Sequence, residues 1–231
     1  MCTDSSPLTK SNKVAGSPAP AGDFSSDKFP FLECLSILEH SGKKLYGQHF
    51  KISQDDHEVI FKLLVYFLRD QENAEALNIS FKKGLLISGP IGCGKTSLMN
   101  LMRYITAAYN HHIMISCRTV SFDFIQEGYS VVQKYSDHSF RPVNQEWQPK
   151  TYCFDDLGAE NSLKYFGNDC NVMAEILLSR YDQFISCGML THMTTNLNST
   201  ELESMYGNRV RSRLREMVNL ISFEQGKDKR Y

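Results

Sequence analysis

One stretch constrains this chain more than any other: Leu85-Leu86-Ile87-Ser88-Gly89-Pro90-Ile91-Gly92-Cys93-Gly94-Lys95-Thr96-Ser97 reads as a short buried strand, a glycine-rich turn and a helix start. The spacing Gly89-x-x-x-x-Gly94-Lys95-Thr96 fits the phosphate-binding loop, or P-loop, pattern. Gly89, Gly92 and Gly94 permit backbone angles closed to other residues, so that successive N–H groups can turn inward onto a phosphate. Those donors sit at a helix N-terminus, where the dipole also favours anions. Lys95 would reach the β- and γ-phosphates, and the Thr96 hydroxyl would ligate Mg²⁺. Gly89, Pro90, Ile91, Gly92, Cys93, Gly94, Lys95, Thr96 and Ser97 are thus the expected nucleotide contacts. The alternative is a glycine-rich strand-to-helix turn carrying an exposed lysine. Cys93 is either a small spacer or a thiol made acidic by the helix terminus.

With 231 residues and 42% hydrophobic content, the chain can bury one substantial core with at most a small accessory segment. A net charge of −1 gives no global attraction to nucleic acid or membrane, so polyanion binding requires a local patch. Seven cysteines, an odd number without a C-x-x-C pair, fit a reducing compartment better than a disulfide framework. Without a basic and apolar leader or a run of eighteen apolar residues, the expectation is a cytoplasmic protein that neither enters nor crosses a membrane.

Residues 1–28, rich in Ser, Pro, Ala, Gly and Lys, are expected to be a disordered lead-in. Residues 29–80 read as an N-terminal helical extension and 81–231 as the catalytic core. In the extension, apolar periodicity predicts a helix over about 29–41, an irregular segment over 46–52 and a helix from an Asp55-Asp56 cap to about residue 69. Phe50 and Ile52 are either contacts for a nucleotide base or a hydrophobic staple on the following helix. Beyond the P-loop a helix is expected over about 96–109, with His111 and His112 as turn residues at its end and not metal ligands. A strand over 113–116, a helix over about 120–135 and a polar loop holding the only tryptophan, Trp147, should follow.

The next strand, from Thr151 to Phe154, runs into Asp155-Asp156-Leu157-Gly158. A run of apolar or small residues ending in an acidic pair can deliver one carboxylate to Mg²⁺ and a second to the attacking water. Asp155 would hold the metal, and Asp156 would be the general base. Taken alone, two aspartates before Leu-Gly also suit a turn or helix cap. After a helix over about 168–185, residues 189–196 read as a strand ending in Thr194-Thr195-Asn196. Asn196 would then face the γ-phosphate or lytic water; its alternative role is to cap a helix starting near Ser199.

Arg209, Arg211, Arg213 and Arg215 recur at every second position, so on one helix Arg209 and Arg213 share a face nearly opposite to that of Arg211 and Arg215. One pair could stabilise transition-state charge in a neighbouring subunit and the other could contact nucleic-acid phosphates. A solvated helix face paired to Glu201, Glu203 and Glu216 is the alternative.

With Gly-Pro-Ile-Gly-Cys-Gly-Lys-Thr-Ser, Asp-Asp-Leu-Gly-Ala-Glu, Thr-Thr-Asn-Leu and Tyr-Gly-Asn-Arg-Val-Arg-Ser-Arg-Leu in this order, the chain resembles the AAA+ ATPases of the DnaC helicase-loader and IstB transposition-helper group over residues 45–231. The resemblance implies an α/β P-loop fold with a five-stranded parallel sheet of order 5-1-4-3-2, flanking helices and ATP held between protomers of a homo-oligomer. It makes 89–96 Walker A, Asp155 and Asp156 Walker B, Asn196 sensor 1, and Arg213, then Arg209, the arginine finger. ATP and Mg²⁺ are the implied cofactors, and single-stranded DNA with a replicative helicase or a transposase the implied partners. After the apolar strand 218–223 no helical lid is expected, and Arg230 is a stand-in for the lid's sensor arginine. The implied activity is ATP hydrolysis; a nucleotide-gated binding module with negligible turnover is the competing class.

Overall fold

A computed structural model describes residues 29–160, 163–165 and 168–223. The lead-in 1–28, the basic tail at Lys227 and Lys229, and Arg230 lie outside the described residues. Along the chain come helices α1 (Phe31–Tyr46), α2 (His57–Leu68) and α3 (Gln71–Ala76), strand β1 (Gly84–Ser88) and helix α4 (Lys95–Met102). Next are β2 (Ile113–Ser116), α5 (Cys117–Glu127), α6 (Ser130–Tyr135), β3 (Phe140–Val143), β4 (Glu146–Pro149) and β5 (Tyr152–Leu157). Then follow β6 (Leu163–Tyr165), β7 (Asn168–Cys170), α7 (Val172–Cys187), β8 (Thr191–Thr195), α8 (Ser199–Met217) and β9 (Val218–Ser222).

Five strands form one parallel sheet in the order β2-β5-β8-β1-β9. Counting only these strands in chain order, this is 5-1-4-3-2, as the sequence resemblance implies. Side chains alternate across each strand, which divides the core into two layers. Leu85, Ile87, Cys153 and Ile221 face α1, α2 and α4, whereas Leu86, Tyr152, Phe154, Met193 and Val218 face α5 to α8. Both faces being covered explains why these strands read as near-continuous apolar runs. The helices of residues 31–68 share a core with β1 and β9 and are packed directly on the sheet.

Several local expectations are corrected. The first helix continues to Tyr46, while α4 stops at Met102 and gives way to turns. The helix expected over 120–135 is two helices, broken at Gly128 in the left-handed region (φ 66°). What read as a polar loop around Trp147 is the antiparallel hairpin β3–β4, with Trp147 71% exposed on it. A second hairpin, β6–β7, takes the start of the helix expected from 168, so α7 begins at Val172, with Asn171 accepting from the Ala174 amide as its cap. Asp56 is not a side-chain cap of α2: a 3-10 turn (Gln54–Asp56) leads into that helix without one.

His112, in the connection between the turn after α4 and β2, is a core residue. It is buried against Phe67 and His192, and the two imidazoles meet edge to face at 5.5 Å. The Leu85 amide donates to His192 Nδ1 at 3.1 Å, which fixes a neutral ring. Burial lowers both histidines, His192 well below the ordinary value and His112 to about 4. A histidine depressed in the native state contributes stability above its unfolded pKa of 6.5 and loses it as pH falls toward the native value. The unfolding free energy should therefore drop between about pH 6.5 and 4, by up to ~3 kcal/mol for His112 alone. Urea titrations across that range measure it, and His112→Phe, which retains the ring packing, should flatten the slope.

Candidate functional site

The parallel strands all end on one side of the sheet, so side chains from different strand ends converge at the carboxyl edge where β1 meets β8. Beyond β1 the chain turns through residues 89–94 and enters α4. Gly92 (φ 81°) and Gly94 (φ 100°) take left-handed angles, as expected of a phosphate loop. Gly89 is a glycine for a different reason: a Cβ there would stand 2.7 Å from Phe223 Cβ, so space and not dihedral freedom excludes a side chain.

Lys95 is buried, and its Nζ donates to Gly89 O at 2.8 Å, Pro90 O at 2.9 Å and Asn196 Oδ1 at 2.5 Å. An ammonium whose oxygen partners among the described residues are all neutral suits an anion, since a buried charge is stabilised far more by an opposite charge than by carbonyls. Asn196 is therefore at the lysine, one residue past β8. The cap of α8 is Asn198, which accepts from the Thr200 and Glu201 amides while Glu201 returns a bond to the Asn198 amide. The reading of Asn196 as a helix cap is corrected by that motif, two residues further on.

Asp155 and Asp156 lie near the carboxyl end of β5, where the pairing with β8 shifts register between Phe154 and Leu157. The Thr96 hydroxyl donates toward Asp155, with its oxygen 2.9 Å from Oδ1 and 3.1 Å from Oδ2. Fully buried Thr194 clamps both acids: its Oγ1 donates to Asp155 Oδ1 at 2.6 Å and accepts from the Asp156 amide at 2.9 Å. Burial raises the Asp155 carboxyl above the ordinary carboxylate value, while the Thr194 and Thr96 hydroxyls pull it back. Asp156 stands at φ 55°, a left-handed angle uncommon for a residue with a side chain, which turns its carboxylate out of the strand and into the cleft. Thr194 carried no role in the sequence reading; a polar residue at the end of a buried strand was its only signal.

These groups open on a cleft of about 790 Å³, lined at one end by Gly92 to Leu98, Asp156 and Asn196 and at the other by Tyr46, His49, Phe50, Lys51, Ile52 and Asp56. The volume is that of a site for a ligand of several hundred daltons. Phe50 and Ile52, left open between base contact and staple, line it. Tyr46 stands beside Phe50 with ring centroids 5.5 Å apart. Tyr46, His49, Lys51 and Asp56 were missed, because nothing in their local pattern separates them from a connecting loop. Cys93 is buried with its sulfur 3.7 Å from Lys95 Nζ.

The arginines do not act as two simple faces. Helix α8 is kinked at Gly207 (φ 81°, ψ 162°), and all four arginines follow the kink. Arg211 pairs with Glu203 at 2.5 Å and donates to Ser199. Arg213 lies 4.3 Å over the Tyr181 ring, donates to its hydroxyl at 3.1 Å and stands 3.7 Å from Glu216. Arg209 and Arg215 are exposed, with no ion pair among the described residues.

No group of three or more His, Cys, Asp or Glu side chains suited to a metal occurs among the described residues. No helix among them is long and apolar enough to cross a membrane.

No family model matches the sequence, and no curated protein matches it. Solved structures do match the fold. A putative primosome component from Streptococcus pyogenes serotype M3 superposes with a TM-score of 0.53 at 16% identity, over 81% of this chain and 90% of that one. DnaI superposes with a TM-score of 0.52 at 17% identity, over 78% and 88%. The DnaC helicase loader gives 0.49 at 14% identity, over 76% and 93%. With its phosphate loop between β1 and α4 and its sheet order of 5-1-4-3-2, the chain has an α/β P-loop fold of the AAA+ type and shares that fold with the primosome component and DnaI.

Proposed function

We propose that this protein binds ATP in the cleft at the end of β1, hydrolyses it, and works on DNA in replication together with a replicative helicase. The observation that carries the reading is convergence: Lys95 and Thr96 from α4, Asp155 and Asp156 from β5 and Asn196 from β8 meet at one cleft although up to 101 residues separate them in sequence. A structural turn requires no such set. That one structural neighbour is a putative primosome component supports a replication role over transposition.

The phosphates would lie on the loop amides of residues 89–94 and exchange for the carbonyls that now hold Lys95. Phe50 and Ile52 would pack on the base. Thr96 and Asp155, two hard oxygen donors in contact, fit Mg²⁺, which is bound by few protein ligands and completes its shell with phosphate and water. Bound there, the cation would neutralise charge on the phosphates. Asp156 would take the proton of the attacking water, and Asn196 would orient that water by its amide. Residues 29–80 would act as a helical extension closing the base end, and 81–231 as the ATPase unit.

A nucleotide-gated module with negligible turnover is favoured by one observation: Arg213, the leading finger candidate, is occupied by Tyr181 and Glu216 within its own chain. Arg209, exposed beyond the Gly207 kink, is then the better finger toward a second subunit.

One experiment separates the readings. Lys95→Ala should lose a charge-assisted contact worth roughly 1.5–3 kcal/mol, weakening ATP binding about 10- to 150-fold in a calorimetric titration. Arg209→Ala should bind ATP normally and hydrolyse it on the order of 10³-fold more slowly. Mixing the two variants should recover activity, because an intact loop of one subunit can meet an intact finger of the other. Unchanged affinity in Lys95→Ala would remove the ATP site. Mixtures without recovery, with wild-type protein also silent, would favour the gated module.

A further inference from the structure

Glu160 belongs to the Asp-Asp-Leu-Gly-Ala-Glu stretch and has no part in the chemistry described above. It is nevertheless buried, and it sits in the apolar layer that holds Leu157, Cys117 and Tyr206. A carboxylate in such surroundings is expensive unless its oxygens are bonded. One oxygen, Oε2, accepts from the Gly158 amide at 2.9 Å; the other, Oε1, accepts from the Tyr206 hydroxyl.

Both partners matter by position. Gly158 (φ 102°) lies two residues beyond Asp156, in a turn closed by the Ala159 amide donating to Asp156 O at 2.9 Å. A Cβ at Gly158 would stand 2.5 Å from Leu197, next to Asn196, so this turn packs closely on the residue that follows Asn196. Tyr206 is the last residue of α8 before the Gly207 kink, beyond which Arg209 begins. The same end of α8 is also held by the cap of α7, Asn171 Nδ2 donating to Met205 O at 2.9 Å. The buried Cys117 thiol is pushed up by burial and by the charges of Glu160, Asp155 and Asp156, which places Glu160 in the electrostatic neighbourhood of the catalytic pair. Burial and the Glu160 charge also hold the Tyr206 phenol in its protonated, donating form.

We infer that Glu160 and Tyr206 are positioning residues that tie the turn presenting Asp156 to the kink of α8, setting the aim of the general base and linking it to the helix that carries Arg209. The inference rests on the proposed ATPase reading for its catalytic consequence, but the tie itself is measurable without nucleotide. Tyr206→Phe removes one hydroxyl and leaves the ring. In the nucleotide-free full-length protein, amides of residues 156–160 and 208–215 should exchange with deuterium about tenfold faster in the variant, with the rest of the sheet unchanged. In turnover, kcat should fall roughly 10- to 100-fold, as expected for a misplacement of about 1 Å, while the calorimetric Kd for ATP and the KM stay within about threefold. Glu160→Gln, which keeps one accepting oxygen, should fall between wild type and Glu160→Ala. The double variant Glu160→Gln/Tyr206→Phe should be no slower than the worse single one.

Unchanged exchange in residues 156–160 of folded Tyr206→Phe protein overturns the tie, as does faster exchange spread over the whole sheet. Faster local exchange with an unchanged kcat overturns the positioning role. If wild-type protein neither binds nor hydrolyses ATP, the ATPase reading falls, and the exchange measurement still decides the tie.

Discussion

Asp156→Asn is expected to bind ATP as the wild type does and to have almost no turnover. The substitution suits the test for a backbone reason. Asp156 stands at φ 55°, and asparagine accepts left-handed angles at least as readily as aspartate, so the turn and the Thr194 bond to the residue 156 amide should survive. What disappears is the ability to accept a proton from water. General-base loss typically removes about 10²- to 10⁴-fold of rate, whereas ground-state affinity should stay within about threefold, or roughly 0.7 kcal/mol. Single-turnover phosphate release alongside calorimetric titration measures both numbers. Wild-type turnover in this variant would mean that Asp156 shapes the bulge and does no proton transfer.

The second large effect lies outside the cleft. Arg180 on α7 is wholly buried and forms no ion pair with a carboxylate among the described residues. Its guanidinium is spread over Thr191 Oγ1 at 2.7 Å, Tyr135 O at 2.7 Å, Lys150 O at 3.1 Å and Leu190 O at 2.8 Å, and stands 5.4 Å from the Tyr152 ring centroid. Burial pulls its pKa down to about 10, which still leaves it charged at neutral pH. One side chain thus joins the end of α6, the segment after the β3–β4 hairpin and the entry to β8. Arg180→Met keeps much of the volume but strands three buried carbonyls and a hydroxyl. Leaving such groups unpaired should lower the unfolding free energy by about 3–5 kcal/mol, a large share of the ~5–15 kcal/mol typical of a domain. Equilibrium urea unfolding reads it directly. A loss under ~1 kcal/mol would show that other donors reach these carbonyls.

Much of the proposed catalytic set is legible in the sequence, because its constraints are local. A phosphate loop requires glycines, a lysine and a hydroxyl at fixed offsets, so residues 89–97 could be named outright. A buried strand must be apolar and its functional residue must come at its end, so the acidic pair and the Thr-Thr-Asn ending could be named as well. The local pattern left Asn196 open between two roles, and the deciding fact was that Asn198 forms the capping box of α8. Turn chemistry was harder to see: the break at Gly128 and both hairpins were hidden because amphipathic polar stretches fit helix, loop and two-stranded ribbon alike.

The sequence by itself determined the parallel α/β class and singled out the phosphate-loop pattern and the two carboxylates as the candidate site, since each follows from residue types at short spacing or from apolar runs that only a doubly covered sheet can bury. Only the tertiary structure decided which long-range partners those residues have. It put Thr194 between the two aspartates, Glu160 under Tyr206, Arg180 among three carbonyls, Arg213 on Tyr181 and the 46–56 segment at the base end of the cleft. The physical reason is common to all five: a polar side chain's partner is set by which strand or helix end the topology brings beside it, and a spacing of tens of residues leaves no periodic trace in the chain.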